Sequence, residues 1–188
     1  MVWAFTTADA LATYLAAHDK PLAASLCPHP SASSVAFQHA SRALLAGAVA
    51  AALGNLLRQW CYRELGALFT FELTIAPRHR LVTTGPYAVV RHPSYVGVFL
   101  TLLGASAVVL ARGSWVRACW SGAPPGGATA AQAVVWVLVA FWCAKVAFAV
   151  VNVVRRLDLE ERELRRKLGE KWEAYARRVR WKLLPLMC

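Results

Sequence analysis

Two polar clusters in a largely apolar chain carry residue types able to do chemistry. The first runs from Arg78 to Tyr95 and reads RHRLVTTGPYAVVRHPSY. Its Gly85-Pro86 pair forces a turn. Pro93 sits where a helix start tolerates a missing amide donor, so His92 and Ser94 flank the mouth of a helix, where N–H groups stand unpaired. On composition alone the stretch reads first as a basic connector touching lipid phosphates. The second cluster holds Arg155, Arg156, Asp158, Glu160 and Glu161. On a helix Arg156 and Glu160 face the same way, with Cβ atoms roughly 5 to 6 Å apart, and an exposed ion pair of that kind contributes little. Location gives the pair more interest. If the apolar stretch after Tyr95 and the one before Arg155 form an antiparallel hairpin, both clusters end at one membrane level.

The elements that must position these clusters follow from composition. The chain has 188 residues, 58% of them hydrophobic and only 16% charged, with a net charge of +11. That is too apolar for an ordinary soluble domain and too apolar for disorder. It points to an all-α, polytopic integral membrane bundle. A bilayer helix needs about 20 apolar residues, and three spans are expected, with length for up to five. They run from about Val35 to Leu57, Tyr95 to Ala111 and Ala128 to Val154. Gly47 and Gly54, among many alanines, offer a smooth surface for close helix packing. Residues 1–34 read as an N-terminal segment, with an interfacial or buried helix up to His18 and a proline- and serine-rich connector. No secretory signal is expected, because Met1 to His18 contains no basic residue. Residues 1–188 are expected to make a single domain, with the N-terminal segment 1–34, a transmembrane core over 35–154 that includes a cytosolic loop over 58–95, and a cytosolic tail over 155–188.

The loop from Arg58 to Arg91 mixes Trp60, Tyr62 and Phe69 with five arginines, as expected of a segment at headgroup level. In the tail, Arg155 to Lys182 carries eleven basic and six acidic residues, with Leu157, Leu164, Leu168, Trp172, Tyr175 and Val179 at helical spacings. It should form one or two amphipathic helices along the membrane surface. The stretch Arg112 to Gly127 holds only two basic residues, so the basic loop and the tail should share the cytosolic side. Lys145 falls about ten residues, or ~15 Å, before the basic tail, where it should turn inward or snorkel. Five cysteines, at 27, 61, 119, 143 and 188, form no CxxC pair. Neither a disulfide framework nor a metal site is expected, and Cys188 does not occupy the position a prenylation box requires. No glycine-rich turn follows a strand pattern, so a Rossmann domain is not expected either.

The string LVTTGPYAVVRHPSYVG at Leu81 to Gly97, taken with Glu160-Glu161 and then Gly169, Trp172, Tyr175 and Arg178-Val179, resembles the isoprenylcysteine carboxyl methyltransferases. The resemblance covers roughly Leu56 to Pro185. Its most specific feature is an RHPxY element paired with a distant EE. It implies an endoplasmic reticulum membrane enzyme, facing the cytosol, that uses S-adenosylmethionine to methylate the C-terminal carboxylate of prenylated CaaX proteins. It further implies cofactor contacts from His79, Arg80, Leu81, Val82, Tyr87, His92, Pro93, Ser94, Tyr95 and Glu160. Arg156 falls where the family binds the substrate carboxylate, with Arg91 as a second acceptor-side residue, and Arg156 and Glu160 are the pair on which catalysis should rest. A further polar contact would fall near Thr74. Arg180 replaces the proline that usually follows the Arg-Val pair.

The residues agree chemically with that expectation. A carboxylate acceptor is already ionised at neutral pH and needs no general base. The enzyme must supply alignment and electrostatics: a carboxylate for the donor's ammonium, an arginine for the acceptor, and aromatic faces that tolerate a sulfonium. A phospholipid N-methyltransferase is the nearest alternative, but an amine acceptor has no use for Arg156. A membrane sterol reductase would often carry an acidic residue after Gly97, where this chain has Val98. From another class, the chain could be a non-catalytic scaffold whose basic tail holds anionic lipid. The expected partners are a prenylated cysteine and the bilayer, not nucleic acid.

Overall fold

The computed structural model describes Leu11, Tyr14 and residues 41–66, 81–111, 114–120 and 129–183, whose regular elements are all helical. Helix α1 spans Arg42–Leu65. Ser41 caps it, its hydroxyl accepting from the Leu44 amide at 3.2 Å, and Gly66 ends it with φ +51. Helix α2, Pro93–Leu110, begins on the proline predicted to start it. The short α3, Trp115–Trp120, is capped by Ser114 at 3.3 Å from the Arg117 amide. Helix α4, Ala130–Leu168, has 39 residues and contains neither glycine nor proline, so nothing interrupts its hydrogen-bond ladder. Gly169, with φ +50, breaks the chain into α5, Glu170–Arg178, whose first turn carries Glu170 and Glu173.

The stretch Pro93–Arg117, which contains α2, and the helix α4 are long and apolar enough to cross a bilayer. The expected first span is not among the described helices that qualify. Between Arg42 and Arg58 it offers 15 residues dominated by alanine and glycine, about 22 Å of helix against the ~30 Å of a hydrocarbon core. Its expected start, Val35 to Ala40, lies outside the described residues. Only 11% of the apolar window of α4 is buried. Val134, Val137, Leu138, Phe141 and Phe148 stand exposed, as lipid-facing side chains do. Lys145 is exposed as well, rather than turned inward.

The chain divides into two compact units. In the unit formed from Met1–Ala51 and Leu102–Val146, α1 and α2 meet through glycine. A Cβ on Gly104 would lie 2.5 Å from the Gly47 carbonyl oxygen, and one on Gly47 would lie 2.8 Å from that of Gly104. Val109, Val116 and Val139 form the core, and Trp142 donates to Ser106 at 3.1 Å. Cys119 is disulfide-bonded, a bridge that the expectation of no disulfide framework did not include. An odd count excludes complete pairing but not a single bridge.

In the unit formed from Ala52–Thr101 and Ala147–Cys188, a second glycine contact joins Gly54 to Gly97, with each added Cβ 2.7 Å from the other's carbonyl oxygen. Here α4 passes Val154 without a break, so the first half of the expected surface tail continues the long helix to Leu168. The second half folds back. Trp172, Tyr175 and Val179 bury against Leu81, Leu164 and Leu168. The tail's apolar stripe is thus largely satisfied by the protein itself, because the left-handed turn at Gly169 aims α5 at its own neighbours.

Candidate active site

The site is built within the second unit from the mouth of α2, the part of α4 beyond its apolar stretch, and the segment after α5. The i, i+4 spacing does what helix geometry requires: Arg156 Nε lies 3.0 Å from Glu160 Oε1. From the other cluster, the Tyr95 hydroxyl donates to the same oxygen at 2.6 Å across 65 positions of sequence. His92 comes between the two glutamates. Its Nδ1 is 3.7 Å from Glu160 Oε2 and its Nε2 is 3.4 Å from Glu161 Oε1. The two polar clusters therefore share one site.

Glu161 is the more enclosed carboxylate. Its Oε1 is also 3.4 Å from Arg91 Nε, and its Oε2 is 3.0 Å from Lys182 Nζ. Burial alone would raise its pKa, but His92, Lys182 and Arg91 outweigh that and lower it to about 2. Lys182 also approaches Asp158 at 3.6 Å.

Just before α2, two backbone N–H groups are taken up by the chain's later segment. The Arg91 amide donates to the Trp181 carbonyl at 2.9 Å, and the His92 amide to that of Lys182 at 3.0 Å. The Tyr175 hydroxyl donates to the Tyr87 carbonyl at 2.8 Å, and burial pushes the Tyr175 phenol up to about 12. Upstream, Gly85 adopts φ +57 where a Cβ would strike the Glu64 side chain at 2.6 Å. Glu64 accepts from Thr84 at 2.9 Å.

Of the residues singled out from sequence, Tyr95, His92, Arg156 and Glu160 converge. Arg91 is close by but engaged with Glu161 and, at 3.4 Å, with the Arg180 carbonyl. Pro93 is fully buried as the first residue of α2. Ser94 follows it, half-buried. Leu81 packs on the Trp172 cluster, with Val82 next in the chain. Tyr87 is buried, and desolvation, followed by the neighbouring Cys61 thiol, raises its pKa. His79, Arg80 and Thr74 lie outside the described residues. Sequence reasoning missed Lys182, Tyr175 and Glu64 as parts of this network. Of these, only Tyr175 had drawn notice, as a tail aromatic.

Residues 45–121 match the model of the isoprenylcysteine carboxyl methyltransferase family. Together with the relative described next, that match makes the chain similar to this family over its central helices. Among curated proteins, protein-S-isoprenylcysteine O-methyltransferase B of Arabidopsis thaliana is 30% identical over 129 residues, covering 68% of this chain. The match covers 52% of that relative, so the chain spans about half the length of the curated protein it resembles. No solved structure matches significantly.

Proposed function

We propose that the protein transfers a methyl group from S-adenosylmethionine to the C-terminal carboxylate of a prenylated cysteine, at the cytosolic face of the endoplasmic reticulum membrane. The observation that carries this reading is the meeting of Tyr95, Arg156 and Glu160 on one carboxylate oxygen. It gathers an anion and a cation where two reactants of opposite local charge must be aligned.

The donor set suits the cosubstrate. Among the described residues, the Tyr95 and Arg156 hydrogen bonds fall on Oε1, while Oε2 faces His92 Nδ1 at 3.7 Å. That distance is beyond hydrogen-bonding reach and leaves lone pairs for an ammonium group. When bound, S-adenosylmethionine supplies an electrophilic methyl group on a sulfonium. Glu160 holds the amino-acid end, and Tyr95 fixes the orientation of the Glu160 carboxylate. Arg156, with its side chain 38% exposed, accepts the substrate carboxylate through its guanidinium fork. A carboxylate nucleophile is already ionised, so no side chain has to remove a proton, and the gain comes from alignment and charge. Residues Leu81, Val82, Tyr87, His92, Pro93 and Ser94 frame the donor side, and Arg91 is a second residue on the acceptor side. The exposed apolar surface of α4 is where the acceptor's lipid tail would approach. A phospholipid amine acceptor is less well served, since Arg156 would repel it.

Incubation of the purified protein with labelled S-adenosylmethionine and farnesylated N-acetylcysteine should yield a base-labile methyl ester. Labelled phospholipid instead of ester would refute the carboxylate assignment. No product in micelles that bind S-adenosylhomocysteine would refute the choice of acceptor.

A further inference from the structure

Glu161 stands beside the pair just described, yet both of its oxygens are occupied by the chain itself. Successive residues on a helix point about 100° apart, so Glu160 and Glu161 leave α4 in different directions and meet opposite nitrogens of the His92 ring. From Glu161 a closed circuit can be traced. Its Oε2 holds the Lys182 ammonium at 3.0 Å, and the Lys182 carbonyl accepts from the His92 amide at 3.0 Å. The His92 ring then returns to Glu161 Oε1 at 3.4 Å. Arg91 repeats the pattern: its amide donates to Trp181, its Nη2 to the Arg180 carbonyl, and its Nε faces Glu161 Oε1.

Arg91 Nε, His92 Nε2 and Glu161 Oε1 are all buried without a directed hydrogen bond. What ties them is charge at 3.4 Å. A neutral group of the same shape would leave them with no compensation. The carboxylate charge, rather than its outline, is therefore what the arrangement needs.

We propose that Glu161 is a positioning residue that locks the segment Arg180–Lys182 onto Arg91 and His92, and thereby holds the mouth of α2 against Glu160. Its consequence for the donor rests on the function proposed above; the lock itself does not. Glu161 touches neither reactant and acts through His92, Arg91 and Lys182.

Two measurements on the full chain in micelles test this: hydrogen exchange of the peptides covering 87–95 and 170–183, and titration with S-adenosylhomocysteine. Glu161→Gln should speed exchange at the Arg91 and His92 amides roughly tenfold or more, because removing the carboxylate charge leaves buried polar groups without compensation. The helical amides of α5 should keep their protection. Affinity for S-adenosylhomocysteine should fall by about the same factor. Lys182→Met should reproduce both effects, and Lys182→Arg should restore both. Unchanged exchange at 91 and 92 in Glu161→Gln overturns the proposal. So does equal loss of protection throughout α5, which would mark a general structural role. If the wild-type protein binds no S-adenosylhomocysteine, the functional reading falls, and the exchange measurement still decides the lock.

Discussion

The glycine contacts between α1 and α2 and the polar network around Glu160 and Glu161 hold helices in place by opposite means. At the glycines, backbone approaches backbone because side chains are absent, and the neighbours include carbonyl oxygens that cannot turn aside, beside side-chain atoms of Thr101 and Arg58. Around the glutamates, long charged side chains such as Arg156 and Lys182, each 38% exposed, span the gap. The first arrangement tolerates no added atom. The second can exchange partners, which a site that admits charged reactants must be able to do.

The sharpest way to break this contrast is Gly104→Val. The new Cβ would lie 2.5 Å from the Gly47 oxygen and 2.6 Å from the Ala51 amide nitrogen, an overpacking clash costing about 3 kcal/mol or more. Thermal unfolding in micelles should show a large drop or no folded protein. An unchanged melting temperature would mean that the helices do not rely on this contact. Glu160→Gln should behave in the reverse way. Affinity for S-adenosylhomocysteine should fall by about 10- to 100-fold, as for loss of a charged hydrogen bond, with little change in melting.

Acid separates the two regions more gently. Because the Glu161 pKa is lowered from 4.5 to about 2, its contribution is complete above pH 4.5 and is lost as pH falls from there toward 2. The melting temperature of the wild-type protein should fall more steeply across that window than that of Glu161→Gln, and parallel curves would contradict the charge lock. The smallest effect belongs to the outer face. Arg165 and Glu173 pair at 2.6 Å, with side chains 63% and 41% exposed. Arg165→Ala should cost no more than ~0.5 kcal/mol, measured by the same melt.

The contact between Tyr95 and Glu160 was legible because each half sits on a strong local signal, a proline-started helix and a four-residue helical spacing. The glycine packing was legible at Gly47 and Gly54, where small residues cluster. The closure by residues 180–182 was not, since pairing of extended backbone depends on amides and carbonyls that every residue carries. Lys182 reads as one more basic residue among eleven in the tail. The fate of α5 was hidden for a related reason. Trp172, Tyr175 and Val179 form an apolar stripe that suits a bilayer surface or a protein surface equally, and Gly169 decides between them through a backbone angle. For α1, apolar character was visible, and the start of its expected span lies outside the described residues.

The amides of Arg91 and His92 find their acceptors about 90 residues later in the chain. At the ~5–20 residues per second of protein synthesis, roughly 5 to 20 s separate the emergence of the donors from that of Trp181 and Lys182. During that interval the nascent chain holds a half-finished cradle, with two backbone amides awaiting their carbonyl acceptors. Such a species is the one a protease or a chaperone at the membrane surface would meet.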